Sequence, residues 1–249
     1  MFGIVAFTDV GTTEKVNDDR ILVNNMVYND YHSEECVGSC CVAVFDGVGG
    51  EKCGYKAAEI AAWCFSELSS VSADENSVRE AFYEANRRVV KEQNKDFSHG
   101  KMSTTVAGVI ITGNDFISFN MGDSKVYRFR FPFIMQLSKD HSYAGELITA
   151  GIITSKDEIG EQTRHTITRY VGSVEAFEPE ISVGKGRVDD RDIFLICSDG
   201  LSDVVTEMEI EEILSKNISL QDMCRELIEK AIINGMVDNI SIILVRKEY

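Results

Sequence analysis

Aspartates stand at the ends of the short apolar runs in this 249-residue chain, which is the pattern that most limits how it can fold. They are Asp46 after VAVF, Asp199 after IFLICS, Asp123 within MGDSKVY, Asp238 before NISIILV, and Asp18 and Asp19 before RILVNN. Any one of them could be a turn former, because Asp-Gly and Gly-Asp are common turn sequences. If the runs are strands that pack side by side, their ends converge, and carboxylates a few Å apart stay ionised only beside a cation. Because hard carboxylate oxygens suit Mg²⁺ or Mn²⁺, the sequence predicts a divalent cation site there.

The apolar runs have the length and the residue types of β-strands. We predict strands over 3–8, 20–27, 37–45, 105–112, 115–121, 125–131, 192–197 and 240–246, with a hairpin turn at Gly113-Asn114. Helical periodicity predicts helices over about 54–69, over 78–92 behind a Ser77-x-x-Glu80 capping box, and over 220–233 behind Ser219-x-x-Asp222. In the sequence DGVGG, Gly49 and Gly50 predict a tight turn into the first helix. Because strands follow one another in hairpin fashion, we expect an α+β fold of antiparallel sheets flanked by helices.

The composition argues against several classes of protein. With 25 Lys and Arg against 41 Asp and Glu, the formal charge of −16 repels nucleic acid and anionic membranes. No apolar run reaches the roughly 18 residues that span a bilayer, and the start of the chain lacks the basic region of a signal peptide, so we expect a cytoplasmic protein. The seven cysteines are interpreted as buried reduced thiols, although a zinc site at His32, Cys36, Cys40 and Cys41 is an alternative.

Eight motifs carry a resemblance to a known family. In chain order they are TDVGTTEKVNDDR, VAVFDGVGG, MSTTVAGVII, MGDSKVYRF, LSKDHS, RHTITRYVG, CSDGLSDVV and VDNISIILV. In this order, and across nearly the whole chain, they resemble the motifs of the metal-dependent protein phosphatases, the PPM or type 2C family, in a bacterial form. The resemblance implies a single catalytic domain over 1–249, an α-β-β-α sandwich of two antiparallel sheets flanked by helices. It also implies a two-metal centre at one edge of the sandwich, holding Mn²⁺ or Mg²⁺.

The resemblance implies a role for each aspartate of the central motifs. Asp46 is expected to bridge both metals, with the carbonyl of Gly47 binding one of them. Asp199 and Asp238 are expected to complete the second metal site. We therefore expect Asp46, Asp199 and Asp238 to be the catalytic residues.

Further residues are expected around this centre by the same resemblance. Asp18 and Asp19 are expected to make direct or water-mediated contacts to the metals. Asp123 matches an aspartate that helps to hold a third, weaker metal in many bacterial relatives. Asn17 and Asn239 lie next to these ligands in sequence and are expected to support them.

Two positions depart from the family pattern. Many members have an arginine that binds substrate phosphate five residues before the N-terminal aspartate, and counting back from Asp19 gives Glu14. A carboxylate cannot donate to phosphate, so we expect a neighbouring cation to substitute. The candidates are Lys15, Arg20, Arg164 and Arg169.

The second departure is Val48, where eukaryotic relatives commonly have a histidine that is a candidate general acid. Valine cannot donate a proton, so a metal-bound water is the expected donor. His141 in the DHS motif is an alternative acid, against a structural role in which it bonds nearby backbone.

The function implied by the resemblance is that of a protein serine/threonine phosphatase. Hydrolysis of phosphoserine and phosphothreonine would use a hydroxide that bridges two metals, without a phosphoenzyme. No Cys-x5-Arg loop suggests a thiol mechanism, and Cys197, in an acidic setting, is interpreted as a packing residue. The segment 142–171 is expected to be the flap beside the active site, or else a surface insertion without a role in selectivity. The expected partners are phosphorylated proteins, including a Ser/Thr kinase and its substrates, and we expect a monomer.

Two alternatives stay open at this point. One is a phosphatase-like regulatory domain that binds phosphoproteins with weak or no activity, which Glu14 suggests. The other is a serine phosphatase for anti-sigma antagonists within the wider superfamily.

Overall fold

The computed structural model describes residues 1–48, 53–70, 74–95, 102–174 and 182–248. Gly49 and Gly50, where we expected a tight turn, lie outside these ranges. The strands are β1 (Phe2–Asp9), β2 (Arg20–Val23), β3 (Met26–Tyr28), β4 (His32–Cys36), β5 (Ser39–Phe45), β6 (Gly47–Val48), β7 (Ser103–Thr104), β8 (Val106–Thr112), β9 (Asp115–Met121), β10 (Lys125–Arg130), β11 (Phe133–Gln136), β12 (Ser182–Arg187), β13 (Ile193–Cys197) and β14 (Ile240–Lys247). The helices are α1 (Gly54–Ser66), α2 (Glu75–Gln93), α3 (Tyr143–Thr149), α4 (Glu161–Arg164), α5 (Asp199–Ser202), α6 (Glu207–Leu214) and α7 (Leu220–Ile233), with 3₁₀ turns over Glu67–Ser70 and Lys156–Glu158.

Two six-stranded sheets form the centre of the fold. Sheet 1 has the order β11-β10-β13-β14-β1-β4, and sheet 2 has the order β12-β9-β8-β5-β2-β3. Neighbouring strands in both sheets are antiparallel. The predicted α+β class with two antiparallel sheets is therefore confirmed.

Three apolar layers hold the sheets and helices together. The layer between the sheets contains residues such as Val42 and Ile243. A second layer lies between sheet 2 and the helix pair α1–α2, where the rings of Phe65 and Phe119 stack 5.4 Å apart. The third layer lies between sheet 1 and helices α6 and α7, with Leu227 fully buried. Each layer removes apolar side chains from water, which is the main stabilising contribution to such a sandwich.

Local sequence signals were accurate where a cap or a turn decides the structure. Helix α7 has the predicted bounds, because Ser219 accepts a hydrogen bond from the backbone N–H of Asp222. Gly113 has a positive φ of 62° in the turn between β8 and β9, as the hairpin prediction requires.

Other boundaries differ from the prediction. Helix α2 begins at Glu75 instead of residue 78, because Asp74 and not Ser77 is its N-cap and accepts from the Ser77 N–H at 2.8 Å. The predicted strand 20–27 is two strands, with a turn at Asn24, whose φ is 57°. Strand β4 and helix α6 were not predicted; β4 (HSEEC) is polar and only partly buried, so it has no apolar run.

The cysteines do not form the alternative zinc site. Cys40 lies in the layer between the sheets, whereas Cys41 faces the helices on the other side of β5. Adjacent residues of a strand point to opposite faces, so these two thiols cannot share one ion. Cys197 is buried, and burial raises the pKa of its thiol to about 12, as expected of a packing residue.

Within the ranges given above, no helix combines the length and the apolar composition that a membrane crossing requires.

Candidate metal centre

Strand register in sheet 2 brings the first two acidic segments together. Arg20 of β2 pairs with Phe45 of β5. The residues that precede and follow this pair are Asp19 and Asp46, so their side chains leave the same end of adjacent strands. The apolar runs that the sequence analysis identified therefore carry these carboxylates to one edge.

The strand register of sheet 1 brings the other three acidic segments together. Cys197 of β13 pairs with Lys125 of β10 on one side and with Ile242 of β14 on the other. The chain segments that carry Asp123, Asp199 and Asp238 consequently emerge side by side at the edge of sheet 1. They are Asp123 before β10, Asp199 after β13 and Asp238 before β14.

The carboxylates of Asp46 and Asp199 are held close together without cationic protein partners. Burial raises the pKa of Asp46 well above its usual range, and the charge of Asp199 raises it further. Burial likewise raises the pKa of Asp199, with further contributions from Asp123 and other aspartates. Among the described residues, neither carboxylate forms a hydrogen bond or an ion pair. Such a cluster is stable as anions only with a cation between its members.

Asp123 is a further carboxylate with an oxygen atom that has no hydrogen-bond partner among the described residues. Its side chain is 4% exposed, and within the described ranges its Oδ1 atom has no hydrogen-bond partner. Burial, followed by the charges of Asp140 and Asp203, raises the pKa of Asp123 to about 7. A buried acceptor oxygen without a partner is costly, and a bound cation would satisfy it.

Asp19 is buried but is held by hydroxyl groups. Ser241 Oγ donates to Asp19 Oδ2 at 2.6 Å. Burial raises the pKa of Asp19 to about 7, although hydrogen bonds from Ser241 and Ser198 act in the opposite direction. Asp19 thus has a fixed orientation toward the acidic edge.

Asparagines hold the backbone of the N-terminal acidic loop. Asn239 Oδ1 accepts from the Asp18 N–H at 2.7 Å, and Asn17 Oδ1 accepts from the Asp19 N–H at 3.0 Å. Asp18 Oδ1 in turn accepts from the N–H of Tyr55 at 3.0 Å, in the first turn of α1. Asn17 and Asn239 thus fix the backbone positions of Asp18 and Asp19.

The segment around Gly47 is fixed through its backbone. The backbone carbonyl of Asp46 accepts from the N–H of Thr105 and the hydroxyl of Thr104, both at 2.9 Å. The backbone is therefore held without using the Asp46 carboxylate. A Cβ atom on Gly54 would lie 2.4 Å from the Gly47 oxygen and 2.9 Å from Asp18 Cγ. Glycine is therefore required where the start of α1 meets this loop.

The donor set fits hard divalent cations. The described groups that converge here are carboxylate and carbonyl oxygens. Asp123 Oδ1 is buried without a hydrogen-bond partner, and the carboxylates of Asp46 and Asp199 have no hydrogen bond or ion pair with the described residues. The residues that could hold Mn²⁺ or Mg²⁺ at this edge are the predicted ones: Asp18, Asp19, Asp46, Gly47, Asp123, Asp199 and Asp238. Asp238 is exposed, so its side chain is accessible from solvent.

The four candidate phosphate ligands lie in different surroundings. Arg164 lines a cavity of about 710 Å³ that Asp199 and Asp238 also line. Arg20 donates to the carbonyls of Asn17 and Asp19, and Arg169 lies 3.8 Å from a Glu146 oxygen. Lys15 and Glu14 are exposed in the N-terminal loop. Of the four, Arg164 is the one that lines the acidic cavity.

His141 connects two loops. Its Nδ1 accepts from the N–H of Gly122 at 3.1 Å, next to Asp123. Its carbonyl accepts from the N–H of Thr168 at 2.8 Å, within the segment 142–171. This geometry is that of a structural residue that joins the Asp123 loop to the flap.

Three residues that line the same cavity, Lys156, His165 and Asp203, were not predicted from the sequence, and neither was Asp140 beside Lys156. Lys156 Nζ lies 3.1 Å from Asp140 Oδ2 and 3.6 Å from Asp203 Oδ1, and His165 Nδ1 lies 3.0 Å from Asp203 Oδ2. Ligand atoms of His165, Asp199 and Asp203 lie within 4.8 Å of one another. Asp203 follows Asp199 by four residues, which is a helical spacing and the one signal that could have identified it.

Lys156 and Asp140 each shift the pKa of the other. Burial acts to lower the pKa of Lys156, but the carboxylates of Asp140 and Asp203 outweigh it, and the pKa is raised. Burial acts to raise the pKa of Asp140, but Lys156 and a hydrogen bond from Ser142 outweigh it, and the pKa is lowered. Both groups are therefore charged at neutral pH.

Comparison with known proteins relates this arrangement to one family. A family model described as protein phosphatase 2C matches residues 18–231. The serine/threonine phosphatase stp of Listeria monocytogenes is 29% identical over 248 residues, which is 97% of this chain and 94% of that protein. The solved structure of the S. agalactiae serine/threonine phosphatase has a TM-score of 0.85 at 25% identity and covers 100% of both chains. The catalytic domain of the serine/threonine protein phosphatase PstP, solved in complex with two manganese ions, shares the fold with a TM-score of 0.81 at 24% identity over 99% of both chains.

Proposed function

Because the chain belongs to the protein phosphatase 2C family, we propose that it is a metal-dependent serine/threonine protein phosphatase that acts at the acidic edge described above. The observation that carries this proposal is the cluster of Asp46, Asp123 and Asp199, carboxylates whose pKa values are raised by burial and by neighbouring aspartates. Carboxylates this close together stay ionised only beside a cation. The substrates are phosphoproteins, and the family resemblance of the sequence is confirmed.

The metal requirement follows from the same residues. Two divalent cations, Mn²⁺ or Mg²⁺, would be held by Asp46, Gly47, Asp199 and Asp238. The fold relative PstP was solved in complex with two manganese ions. When bound, they supply the Lewis acidity that activates water and neutralises the phosphoryl group that is transferred. Further ligands would come from Asp18, Asp19 and Asp123. Of these, Asp123 would help to hold a third, weaker cation.

The chain itself orients the substrate and controls the supply of protons. Arg164 lines the same cavity as Asp199. Its Nη1 donates to Asp157 Oδ1 at 3.0 Å, and the other N–H groups of its guanidinium can bind a phosphate oxygen through charge-assisted hydrogen bonds. Val48 is partly exposed and has no proton to give, so the leaving alkoxide takes its proton from another donor. His141 is buried between two loops, which favours a structural role for it.

Cavity-lining residues support the expectation that the segment 142–171 is a flap that contacts a protein substrate. His165 and Arg164 line the acidic cavity, and His165 and Tyr170 line a second cavity of about 540 Å³ that Val48 borders. We infer that residues flanking the phosphorylated side chain dock against this segment. A cognate Ser/Thr kinase, a monomeric state and a place in the cytoplasm stay predictions.

The alternatives from the sequence are less well supported. A regulatory domain that only binds phosphoproteins would not need the complete set Asp46, Asp199 and Asp238. The relatives described above are named serine/threonine phosphatases, and these names do not support the anti-sigma-antagonist alternative.

The test is a Mn²⁺ and Mg²⁺ titration with a phosphothreonine peptide, with release of phosphate as the measured quantity. Wild-type protein should release phosphate only with a divalent cation, and Asp199→Asn should lower the rate by at least about 10²-fold. Asp115→Asn, at an exposed aspartate next to the β8–β9 turn, is the matched control and should behave as wild type. If the wild type releases no phosphate with any divalent cation, the proposed function is wrong.

A further inference from the structure

Lys156 is a cation that the flap inserts among carboxylates of the acidic edge. Its side chain is 24% exposed, and its ammonium lies 3.1 Å from Asp140 Oδ2 and 3.6 Å from Asp203 Oδ1. Lys156 also acts on the charge of Asp123, in the opposite direction to Asp140 and Asp203. One ammonium is thus shared by two carboxylates from separate segments, and it lowers the pKa of a third, Asp123.

The carboxylates around Lys156 are fixed, so it is the flap that can move. Asp123 and Asp140 are held in loops that His141 joins, since its Nδ1 accepts from the Gly122 N–H. Asp140 Oδ1 also accepts from the N–H of Ser142 at 3.0 Å. Asp203 is placed by α5, where its N–H donates to the Asp199 carbonyl at 2.9 Å.

Lys156 itself stands on a rigid local turn. Ser155 Oγ accepts from the Asp157 N–H at 3.2 Å, and Glu158 Oε1 accepts from the N–H groups of Thr154 and Ser155 at 2.6 and 3.0 Å. These hydrogen bonds fix the backbone of the turn, so the backbone of Lys156 moves together with its segment of the flap. The flap has a second contact with the same carboxylate, from His165 Nδ1 to Asp203 Oδ2 at 3.0 Å.

The side-chain oxygen of Asp123 can bind a divalent cation, which would compete with the Lys156 ammonium. Asp123 Oδ1 is buried and, among the described residues, has no hydrogen-bond partner, so the cluster still accepts positive charge. A divalent cation bound at Asp123 would share the carboxylate charges that attract Lys156, and the two cations would repel each other. The flap-borne ammonium and a weakly held divalent cation therefore oppose each other at these carboxylates.

We propose that Lys156 is a tethered cation that holds the flap on the acidic edge in competition with a divalent cation at Asp123. When such a cation binds, the attraction between Lys156 and its carboxylates weakens, and the flap is released from the edge. The position of the flap is thereby coupled to cation occupancy at Asp123. The inference rests on the proposed function only in requiring that the edge binds divalent cations.

The first measurement is Mn²⁺ binding by titration calorimetry in the absence of substrate. Lys156→Met should raise the affinity of the weakest Mn²⁺ site by at least about tenfold, because a repelling unit charge is removed. Lys156→Arg keeps the charge and should bind as wild type does. Lys216→Met removes another ion-paired lysine, 2.6 Å from Glu226 on α7, and serves as the matched control.

The second measurement is hydrogen exchange of the flap over 152–166. In metal-free protein, exchange there should be faster in Lys156→Met than in wild type. In wild type alone, raising Mn²⁺ through the range of its weakest site should speed the same exchange, a result that needs no variant to fold.

The outcomes separate this inference from the proposed function. If wild type binds no Mn²⁺, both are wrong; if it binds tightly but Lys156→Met has unchanged weak-site affinity, only the competition is wrong. Faster flap exchange without a change in Mn²⁺ affinity would also overturn it, since Lys156 would then be a structural contact alone.

Discussion

The side-chain oxygen of Asn239 accepts a hydrogen bond from the backbone N–H of Asp18 at 2.7 Å, across 221 residues of sequence. The amide group of Asn239 also donates to the carbonyls of Val10 and Val16, at 2.8 and 3.1 Å. One side chain at the start of β14 thus holds the N-terminal acidic loop against the edge where Asp238 lies. The shape of this loop depends on a residue from the other end of the chain.

Asn239→Ala removes these three hydrogen bonds and leaves backbone groups without partners. We expect the free energy of unfolding to fall by about 2–4 kcal/mol, and Mn²⁺ affinity to fall because Asp18 and Asp19 lose their placement. Urea denaturation and Mn²⁺ titration measure the two effects. Asn76→Ala, at an exposed position of α2, should change stability by less than about 0.5 kcal/mol. Equal stability of the Asn239 and Asn76 variants would contradict the role given to this side chain.

Metal-free protein should become less stable as pH rises toward neutrality. The pKa values of Asp19 and Asp123 are about 7 in the folded state, against 3.8 for an ordinary aspartate, so the folded state binds more protons between these values. The resulting stabilisation is fully present below about pH 4 and is lost as pH rises through about 7. With a chelator present, the Tm should therefore be lower at pH 8 than at pH 6 by several degrees.

Two further samples check the cause of this pH dependence. Added Mn²⁺ should remove most of the Tm difference, because bound cations replace protons at the carboxylates. Asp19→Asn should flatten the metal-free dependence, whereas Asp115→Asn should leave it as in wild type. A metal-free Tm that rises between pH 6 and pH 8 would show that the carboxylates are not desolvated as the structure has them.

Gly54→Ala tests the close approach of two backbones at the site. Alanine has the better helix propensity by up to about 1 kcal/mol, so an open position at the start of α1 would gain stability. Here the added Cβ would lie 2.4 Å from the Gly47 oxygen, so we expect lower stability and weaker Mn²⁺ binding. Gly160→Ala is the control, since nothing lies within 4 Å of its added Cβ and its φ is −62°. A Gly54 variant with unchanged Mn²⁺ affinity would mean that the Gly47 segment is not part of the metal centre.

Arg164→Ala tests which cation replaces the family arginine that is Glu14 here. Loss of one charge-assisted contact to phosphate should lower kcat/KM by roughly 10- to 150-fold. Kinetics with a phosphothreonine peptide measure it, with Arg225→Ala, on the exposed face of α7, as the control.

The complementary change restores the family residue. If Arg164 or another cation already binds the phosphate, Glu14→Arg should raise kcat/KM by no more than about 100-fold. A much larger gain would show that the chain has no substitute for the missing arginine.

Local signals in the sequence were sufficient for much of the fold. Ser219 with Asp222 set the start of α7, and Gly113 set the β8–β9 turn, because a cap or a turn depends on residues within a few positions. The order of the strand-end aspartates was sufficient to predict a cation site, since a chain cannot bury several carboxylates together without positive charge. The family motifs added the type of reaction.

Tertiary structure decided which groups share the site. Lys156 lies 16 residues from Asp140 and 47 from Asp203, and no local pattern relates them; only the path of the flap brings the ammonium to both carboxylates. Arg164 lines the acidic cavity while Arg169 lies by Glu146, although both were equal candidates in the sequence. The sequence by itself determined which chemistry the edge can hold, because residue types and strand ends are local properties. The structure decided how charge is distributed there, because Coulomb interactions depend on distances that only the packed sheets and flap establish.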